Sequence, residues 1–495
     1  MSERRTPIRV EDLTWLNMDR PNNLMSVSGL MWFREAPTAS NVDAIVQERI
    51  VERFPVFSRR PVEVDGSWFW EDDPTFSLDK HLHHVTLDPP GDLGALQRHI
   101  SAGHAEPLPK DQALWRFELI NGVHGLDEAG PVSVLFARFH HAMADGIRLV
   151  QLLLSLLDSH ADAAPVSRVG HVADGRQSLA DAVRTEAWRS VGQLGDLATG
   201  AVRAGLTTVT SARLPTLRVP TVSGLARSLS PPRVVDAIAG VSSPDNRLVN
   251  DWASASKLLV SPPAPRTVWS GAPGVEKTLL WIGGIELTQV KARATTGSAT
   301  VNDVLVSAVA GGLRRYLEDC GDTRTRDLPW MIPVALKSLE DNLPRELGNH
   351  FTLVNLTLPV GIADPVDRLE EVKRRMTRLK NSDEALMVFG LGQVVARAPT
   401  AVSVALTNLV ANHNTGVMSN VPGPVAPMSL AGCEVLTVVG WNPTSGNQPI
   451  SICLFSYNGE VTMGLCTDNL RIPDPHLVAH HLAAELASED LVHVT

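Results

Sequence analysis

The feature that constrains the fold most is the segment PVSVLFARFHH, residues 131–141, which is apolar at most positions before it ends in two histidines. A strand without polar alternation is typical of one that is covered on both faces. The segment IRLVQLLLSLLD, residues 147–158, follows after a short loop, and its apolar spacing predicts a helix. A doubly covered strand followed at once by an apolar helix predicts a layered α/β protein.

The rest of the chain continues this alternation of short strands and helices. Asn302 or Asp303 is placed to cap the longest predicted helix, and Asn458-Gly459 suits a type I′ hairpin turn. Helices are predicted over residues 42–57, 94–108, 147–158, 301–319 and 478–487, and strands over 67–73, 81–87, 114–120, 131–141, 330–336, 350–360, 450–457 and 460–468.

The chain divides into three segments by composition. Its 495 residues are too many for one ordinary core, and 44% apolar with 20% charged residues is the profile of a globular protein. Residues 1–165 and 276–495 mix strands with helices, whereas residues 166–275 are Ala-rich and helical in period and then become rich in proline. We therefore predict an α/β fold, α+β layered, of two halves joined by a helical linker.

Charge and cysteine usage exclude several classes of function. The formal net charge is −10 without any Lys/Arg-rich run, which disfavours nucleic acid as a partner. The four cysteines fit no zinc spacing and are expected to be buried free thiols, and the histidine groups at 81–84 and 476–481 lack HExxH, so no metal is expected. No apolar run is long enough to span a bilayer and no signal peptide is recognisable, which indicates a cytoplasmic protein.

The segment FHHAMADG carries the chemistry. Adjacent histidines in a strand point to opposite faces, so that one of His140 and His141 can face a cleft while the other is fixed in the interior. A neutral imidazole is suited to taking a proton from an alcohol. Asp145 could fix the loop through an internal ion pair, and Gly146 would let a bulky substrate approach the backbone. For a bare histidine pair, two packing residues would be the simpler interpretation.

The motif HHAMADG matches the signature of the chloramphenicol acetyltransferase superfamily, and within it the chain resembles the bacterial wax ester synthase/diacylglycerol acyltransferase family. Residues 107–117, PLPKDQALWRF, resemble that family's PLW region, although Ala113 replaces the proline before Leu114 and Trp115. Asn302-Asp303 resemble its Asn-Asp motif, and residues 419–424, SNVPGP, match its C-terminal signature. The resemblance spans nearly the whole chain and is weakest in residues 166–275.

This resemblance implies two chloramphenicol acetyltransferase-like halves with an active-site channel between them. It implies that His141 is the general base of a direct acyl transfer from fatty acyl-CoA to a long-chain alcohol or a diacylglycerol, with acyl-CoA as co-substrate and no other cofactor. Supporting positions carried over from the motifs are His140, Asp145 and Gly146 around the base, Asn302 and Asp303 as site support, and Leu114, Trp115, Ser419, Asn420, Pro422 and Gly423 as channel or structural positions.

Other interpretations remain open from sequence. HHxxxDG also occurs in peptide-forming condensation enzymes that use carrier-bound substrates, and a non-catalytic lipid-inclusion protein could keep the same fold. Asn302 could be a plain helix cap. The apolar residues 384–411 are interpreted as core or channel lining, with a lipid-facing patch for peripheral contact with membranes or lipid inclusions as the alternative.

Overall fold

The computed structural model describes residues 5–159, 264–324, 326–335, 343–380 and 400–486. Most of the predicted linker, residues 166–275, and residues 384–399 of the apolar stretch lie outside the described residues. The predicted boundaries of the three segments stay predictions.

The described residues form nine α-helices and sixteen strands. The helices are α1 Val10–Met18, α2 Ala39–Val46, α3 Leu93–His104, α4 Gly146–Leu154, α5 Leu287–Thr296, α6 Val301–Asp319, α7 Pro365–Lys380, α8 Thr400–Asn412 and α9 Pro475–Leu486. The strands are β1 Arg5–Pro7, β2 Ser26–Phe33, β3 Arg59–Val64, β4 Ser67–Asp72, β5 Leu82–Thr86, β6 Trp115–Val123, β7 Val132–His140, β8 Asp158–Ser159, β9 Lys277–Glu286, β10 Leu328–Ala335, β11 Phe351–Leu358, β12 Gly416–Pro422, β13 Met428–Leu430, β14 Cys433–Trp441, β15 Ile450–Tyr457 and β16 Glu460–Asp468.

Two large sheets form the frame of the molecule. One has seven strands in the order β5-β6-β7-β2-β14-β13-β8, and the other has six in the order β11-β10-β12-β15-β16-β9. A three-stranded sheet, β1-β4-β3, lies beside them. Within the seven-stranded sheet β7 is buried at every position, which confirms the prediction from its mostly apolar sequence.

The seven-stranded sheet draws strands from both halves of the sequence. β14 pairs antiparallel with β2, with Gly440 opposite Gly29, and β13 extends the same sheet to β8. The C-terminal part of the chain thus completes the N-terminal sheet. As a consequence, the space between the two large sheets is bounded by elements that are far apart in sequence.

Two local predictions were wrong. The N-cap of α6 is Thr300, whose hydroxyl accepts from the Asp303 backbone N–H while the Asp303 carboxylate accepts from the Thr300 N–H. Asp303 is therefore the third helical residue of a capping box rather than the cap, and Asn302 lies inside the helix. Cys320 is exposed at the end of α6, whereas Cys433, Cys453 and Cys466 are buried as expected, and all four are free thiols.

The hairpin between β15 and β16 turns at Asn458-Gly459, both with positive φ (47° and 85°), as the predicted type I′ turn requires. Among the described residues, none of the helices combines the length and the apolar character needed to cross a bilayer.

Candidate active site

A cavity lies between the two large sheets and is closed on one side by α4. Its volume is about 120 Å³, counted as the space open to the centre of a water molecule. The lining is mainly aliphatic and aromatic, and the titratable side chains in it are His141, Asp145 and Cys453. The lining includes Trp15 of α1, Val27, Gly29 and Met31 of β2, Ile147, Leu149, Leu153 and Leu154 of α4, Phe351 and Leu353 of β11, Ser419 and Asn420 of β12, and Val438 and Gly440 of β14.

His141 stands in the wall of this cavity, directly after β7. Its backbone N–H donates to the Met25 carbonyl at 2.7 Å, which extends the pairing of β7 with β2 by one residue. The ring stacks on the indole of Trp15, with centroids 4.0 Å apart and planes 12° apart, and Phe351 lies 5.4 Å away. These contacts fix the plane of the imidazole at the edge of the apolar space.

Burial lowers the pKa of His141 to about 4, and the neighbouring His140 acts in the same direction. Hydrogen bonds from the ring to its own backbone carbonyl and to Asn349 oppose that shift. The imidazole is therefore neutral at cellular pH and can accept a proton.

The ring is held by a side chain from the C-terminal part of the chain. Nδ1 of His141 lies 3.0 Å from Oδ1 of Asn349, and Nδ2 of Asn349 donates to the His141 carbonyl at 2.9 Å and to Oδ1 of Asp12 at 2.8 Å. Arg9 donates from Nε to Asp12 at 2.9 Å. Asn349, Asp12 and Trp15 were not recognised from sequence.

Residues 347–350, which we call the strap, cross the HHxxxDG loop. Gly348 donates to the Met143 carbonyl at 3.1 Å, accepts from the Asp145 N–H at 3.4 Å and forms a parallel bridge with Ala144. Gly348 has a φ of 83°, and a Cβ there would lie 1.1 Å from Nη2 of Arg9. Glycine here therefore avoids both a strained left-handed backbone and a contact that would displace the Arg9 guanidinium.

Both oxygens of the Asp145 carboxylate accept hydrogen bonds from backbone N–H groups. It caps α4 by accepting from the Arg148 N–H at 2.9 Å, and its second oxygen accepts from the His350 N–H at 2.9 Å. Burial raises its pKa, and these backbone bonds oppose the rise. Gly146, the first residue of α4, lines the cavity, and a Cβ there would meet nothing within 4 Å.

His140 occupies the opposite face of the strand end and is buried. Its Nδ1 accepts from the Ala142 N–H at 3.1 Å, and its Nε2 lies 3.7 Å from Oδ2 of Asp19. The two histidines therefore face different surroundings, and His141 alone of the pair lines the cavity.

The remaining motif residues separate into two groups. Leu114 and Trp115 are fully buried outside the cavity wall, and the Trp115 indole donates to the Phe57 carbonyl at 2.8 Å. Ser419 and Asn420 line the cavity, and Nδ2 of Asn420 donates to Oδ1 of Asn302 at 2.9 Å. The Asn-Asp and SNVPGP motifs are thus joined directly.

Pro422 ends β12, and Gly423 after it donates to the Ser456 carbonyl at 2.8 Å. A Cβ on Gly423 would lie 2.2 Å from that same oxygen, so this position needs glycine. Asp303 serves the capping box of α6. Among the described residues, no group of three or more His, Cys, Asp or Glu side chains is arranged to hold a metal ion.

Two family models match the chain. The wax ester synthase/diacylglycerol acyltransferase catalytic domain matches residues 9–305, and the C-terminal domain of the same family matches residues 347–488. Among curated relatives, the chain is 23% identical over 496 residues to the O-acyltransferase WSD of Acinetobacter baylyi, covering 97% of this chain and 96% of that protein. It is 27% identical over 415 residues to a putative diacylglycerol O-acyltransferase of Mycobacterium tuberculosis, covering 84% and 77% respectively.

Solved structures share the fold at low identity. The wax ester synthase/diacylglycerol acyltransferase from Marinobacter aquaeolei VT8 superposes with a TM-score of 0.64 at 19% identity, covering 97% of this chain and 98% of that one. The first condensation domain of the calcium-dependent antibiotic synthetase superposes with a TM-score of 0.57 at 15% identity, and all of both chains is covered. The chain therefore has the two-half fold that the HHxxxDG resemblance implied.

Proposed function

Because the chain belongs to the wax ester synthase/diacylglycerol acyltransferase family and is an acyl-CoA-dependent O-acyltransferase, we propose that His141 is the general base of the reaction. The reaction transfers a fatty acyl group to a long-chain alcohol or a diacylglycerol. The observation that carries the proposal is the position of His141, neutral and held in the wall of an apolar cavity lined by both large sheets. Alkyl chains of donor and acceptor both suit such a lining.

The reaction follows from one proton-accepting nitrogen. Nδ1 of His141 is engaged by Asn349, which leaves Nε2 to take the hydroxyl proton of the acceptor. The acceptor oxygen then bonds to the thioester carbonyl carbon, the carbon–sulfur bond breaks, and the imidazolium returns the proton to the thiolate of CoA. The products are an ester and free CoA. A positioned base of this kind contributes roughly 10²–10⁴ in rate.

No cofactor other than the co-substrate acyl-CoA enters this scheme. The transfer is redox-neutral, and the same imidazole that receives the proton delivers it to the leaving group. His140, Asp145 and Gly146 act in the scheme by holding the loop that presents His141, whereas Asn302 and Asp303 shape the neighbouring wall through Asn420 and the start of α6.

Assay of the purified protein tests the proposal. Palmitoyl-CoA with hexadecanol, or with a diacylglycerol, is expected to release CoA and to yield the corresponding ester, and His141→Ala is expected to abolish both. His124→Ala, at an exposed loop histidine, is the matched control and should keep full activity. Absence of ester with either acceptor would favour a carrier-dependent condensation enzyme or a non-catalytic protein, and ester formation by a folded His141→Ala variant would refute the assignment of the base.

We also propose peripheral association with membranes or lipid inclusions through α8. This helix contains no charged residue, and Val402 and Leu409 on it are 37% and 41% exposed. The variant Val402→Glu/Leu409→Glu is expected to reduce co-sedimentation with phosphatidylcholine vesicles, whereas Val366→Glu, at a more exposed valine on α7, should not. Equal binding by all three proteins would contradict this role of α8.

A further inference from the structure

We propose that Asn349 is a positioning residue that holds His141 in the tautomer protonated at Nδ1, and that Asp12 and Arg9 fix the amide in the orientation this requires. The proposal rests on His141 being the base, as proposed above. It concerns a residue 208 positions further along the chain, and it makes the completed site dependent on the strap.

The orientation of the Asn349 amide follows from its partners. One end of the amide faces the His141 carbonyl at 2.9 Å and the Asp12 carboxylate at 2.8 Å. The carbonyl can only accept a hydrogen bond, and the carboxylate also receives the backbone N–H of Asn349 at 3.0 Å. The end that faces them must therefore be the NH₂ group, and the oxygen faces Nδ1 of His141 at 3.0 Å.

An amide oxygen can only accept, so Nδ1 carries the ring proton. Nε2 is then the unprotonated nitrogen, and no side-chain or backbone partner occupies it among the described residues. A ring in the other tautomer would set the lone pair of Nδ1 against the lone pairs of Oδ1 and would present an N–H to the substrate hydroxyl. Such a ring could not accept the hydroxyl proton.

The contacts of Asp12 with the Asn349 amide are buried, and they oppose rotation of the amide. Asn349 is 6% exposed and Asp12 is 4% exposed. The second oxygen of Asp12 accepts from Nε of Arg9 at 2.9 Å, and Arg9 also donates to the Leu347 carbonyl at 3.3 Å. Turning the amide over would leave two acceptors facing its oxygen and two donors facing each other.

The neutral amide distinguishes this site from a Ser-His-Asp arrangement, in which a carboxylate contacts Nδ1 and stabilises the imidazolium. Here the Asp12 carboxylate contacts Asn349 rather than the imidazole, and it is paired with Arg9. The other charged or titratable groups around the ring are His140 on its own strand, Asp145 and Arg148 at the start of α4, and His350 on the strap. Among the described residues that line the cavity, the Cys453 thiol is the only further titratable group, so fixation of the tautomer, rather than charge, is the contribution of Asn349.

The tautomer can be read without any activity. In ¹⁵N-histidine-labelled protein, the His141 signals are assigned by their loss in His141→Ala, and their shifts report which nitrogen is protonated. The wild type is expected to show protonated Nδ1 and unprotonated Nε2, and Asn349→Ala is expected to show a mixture. A wild-type ring protonated at Nε2 would overturn the proposal whether or not any variant folds.

Kinetics separate positioning from simple structural support. Asn349→Ala is expected to lower kcat by about 10²- to 10³-fold while KM for palmitoyl-CoA stays within about threefold. Asn349→Asp keeps an acceptor at Nδ1 but loses the N–H groups that bind Asp12 and the His141 carbonyl, so kcat is expected to stay low, and the added carboxylate is expected to move the acid limb of the kcat–pH profile to higher pH. Asn41→Ala, at an exposed asparagine of α2, is the control.

Unchanged kcat in Asn349→Ala, or an Asn349→Asp profile that coincides with the wild type, would overturn the role of Asn349. Failure of the proposed function would look different, because the wild type would then form no ester or His141→Ala would remain active. The nitrogen shifts and the two Asn349 variants thus test the positioning role separately from the identity of the base.

Discussion

Gly348 offers a sharp test of the way the strap is packed against the HHxxxDG loop. Gly348→Ala meets two penalties: a backbone with φ of 83°, and a Cβ that would overlap Nη2 of Arg9. The backbone part is about 1–2 kcal/mol for an L-residue in this region. The second part arises because Arg9 must leave Asp12 and the Leu347 carbonyl, to which it is hydrogen-bonded.

The size of the second penalty follows from the exposure of the pair. The Arg9 side chain is 42% exposed whereas that of Asp12 is 5% exposed. Breaking a fully buried pair is destabilising by about 3–5 kcal/mol, but solvent screening of the exposed guanidinium reduces this, and we expect roughly 1–3 kcal/mol here. Gly348→Ala should therefore lower the free energy of unfolding by about 2–5 kcal/mol in total.

Gly321→Ala is a matched control because Gly321 has nearly the same φ, 79°, and a Cβ there would meet nothing within 4 Å. Urea unfolding followed by tryptophan fluorescence should show the backbone part alone in Gly321→Ala and the additional 1–3 kcal/mol in Gly348→Ala. In an Arg9→Ala background the excess should disappear. Equal destabilisation by the two glycine variants, or an excess that persists without Arg9, would refute this account of the strap.

Gly29→Leu should fill the cavity, because a Cβ at Gly29 would already lie 3.0 Å from Cδ1 of Leu153. The variant's kcat/KM for palmitoyl-CoA should therefore fall at least about tenfold relative to its kcat/KM for octanoyl-CoA. An equal loss for both substrates would speak against an acyl chain at this position. Thr300→Ala should lower the free energy of unfolding by about 0.5–2 kcal/mol without changing kcat, since Thr300 is the cap of α6; an unchanged free energy of unfolding would contradict the capping box. Because burial lowers the pKa of His141 to about 4, the imidazole is neutral at every pH well above 4. The value of kcat should therefore be level between pH 6 and 8 and should decline as the pH falls towards 4. An acid limb near pH 6.5 would indicate an ordinary, solvated imidazole.

Local sequence patterns predicted those parts of the fold that are decided within a few residues. The mostly apolar sequence of β7 predicted a doubly buried strand, and Asn458-Gly459 predicted a hairpin. The predicted cap of α6 was wrong because the hydrophobic period locates a helix but not its first residue. The Thr300–Asp303 spacing of a capping box is the sequence signal that identifies the correct cap.

Contacts between distant segments were beyond the reach of those patterns. Asn349 and His141 are 208 positions apart, and Asn349 and Asp12 are 337 apart, so no periodicity connects them. The pairing of β14 with β2 is likewise set by the way the two halves meet. The role of Asp12 and Trp15 appears only when the fold brings Trp15 against the His141 ring and Asp12 against Asn349.

The most direct test of the central claim is the single-turnover rate of ester formation by His141→Gln with palmitoyl-CoA and hexadecanol both saturating. If His141 removes the acceptor proton in the cavity, that rate should be lower than the wild-type rate by about 10²–10⁴, with the dissociation constant for palmitoyl-CoA unchanged within about threefold. A single-turnover rate within tenfold of the wild type would show that the proton leaves by another route.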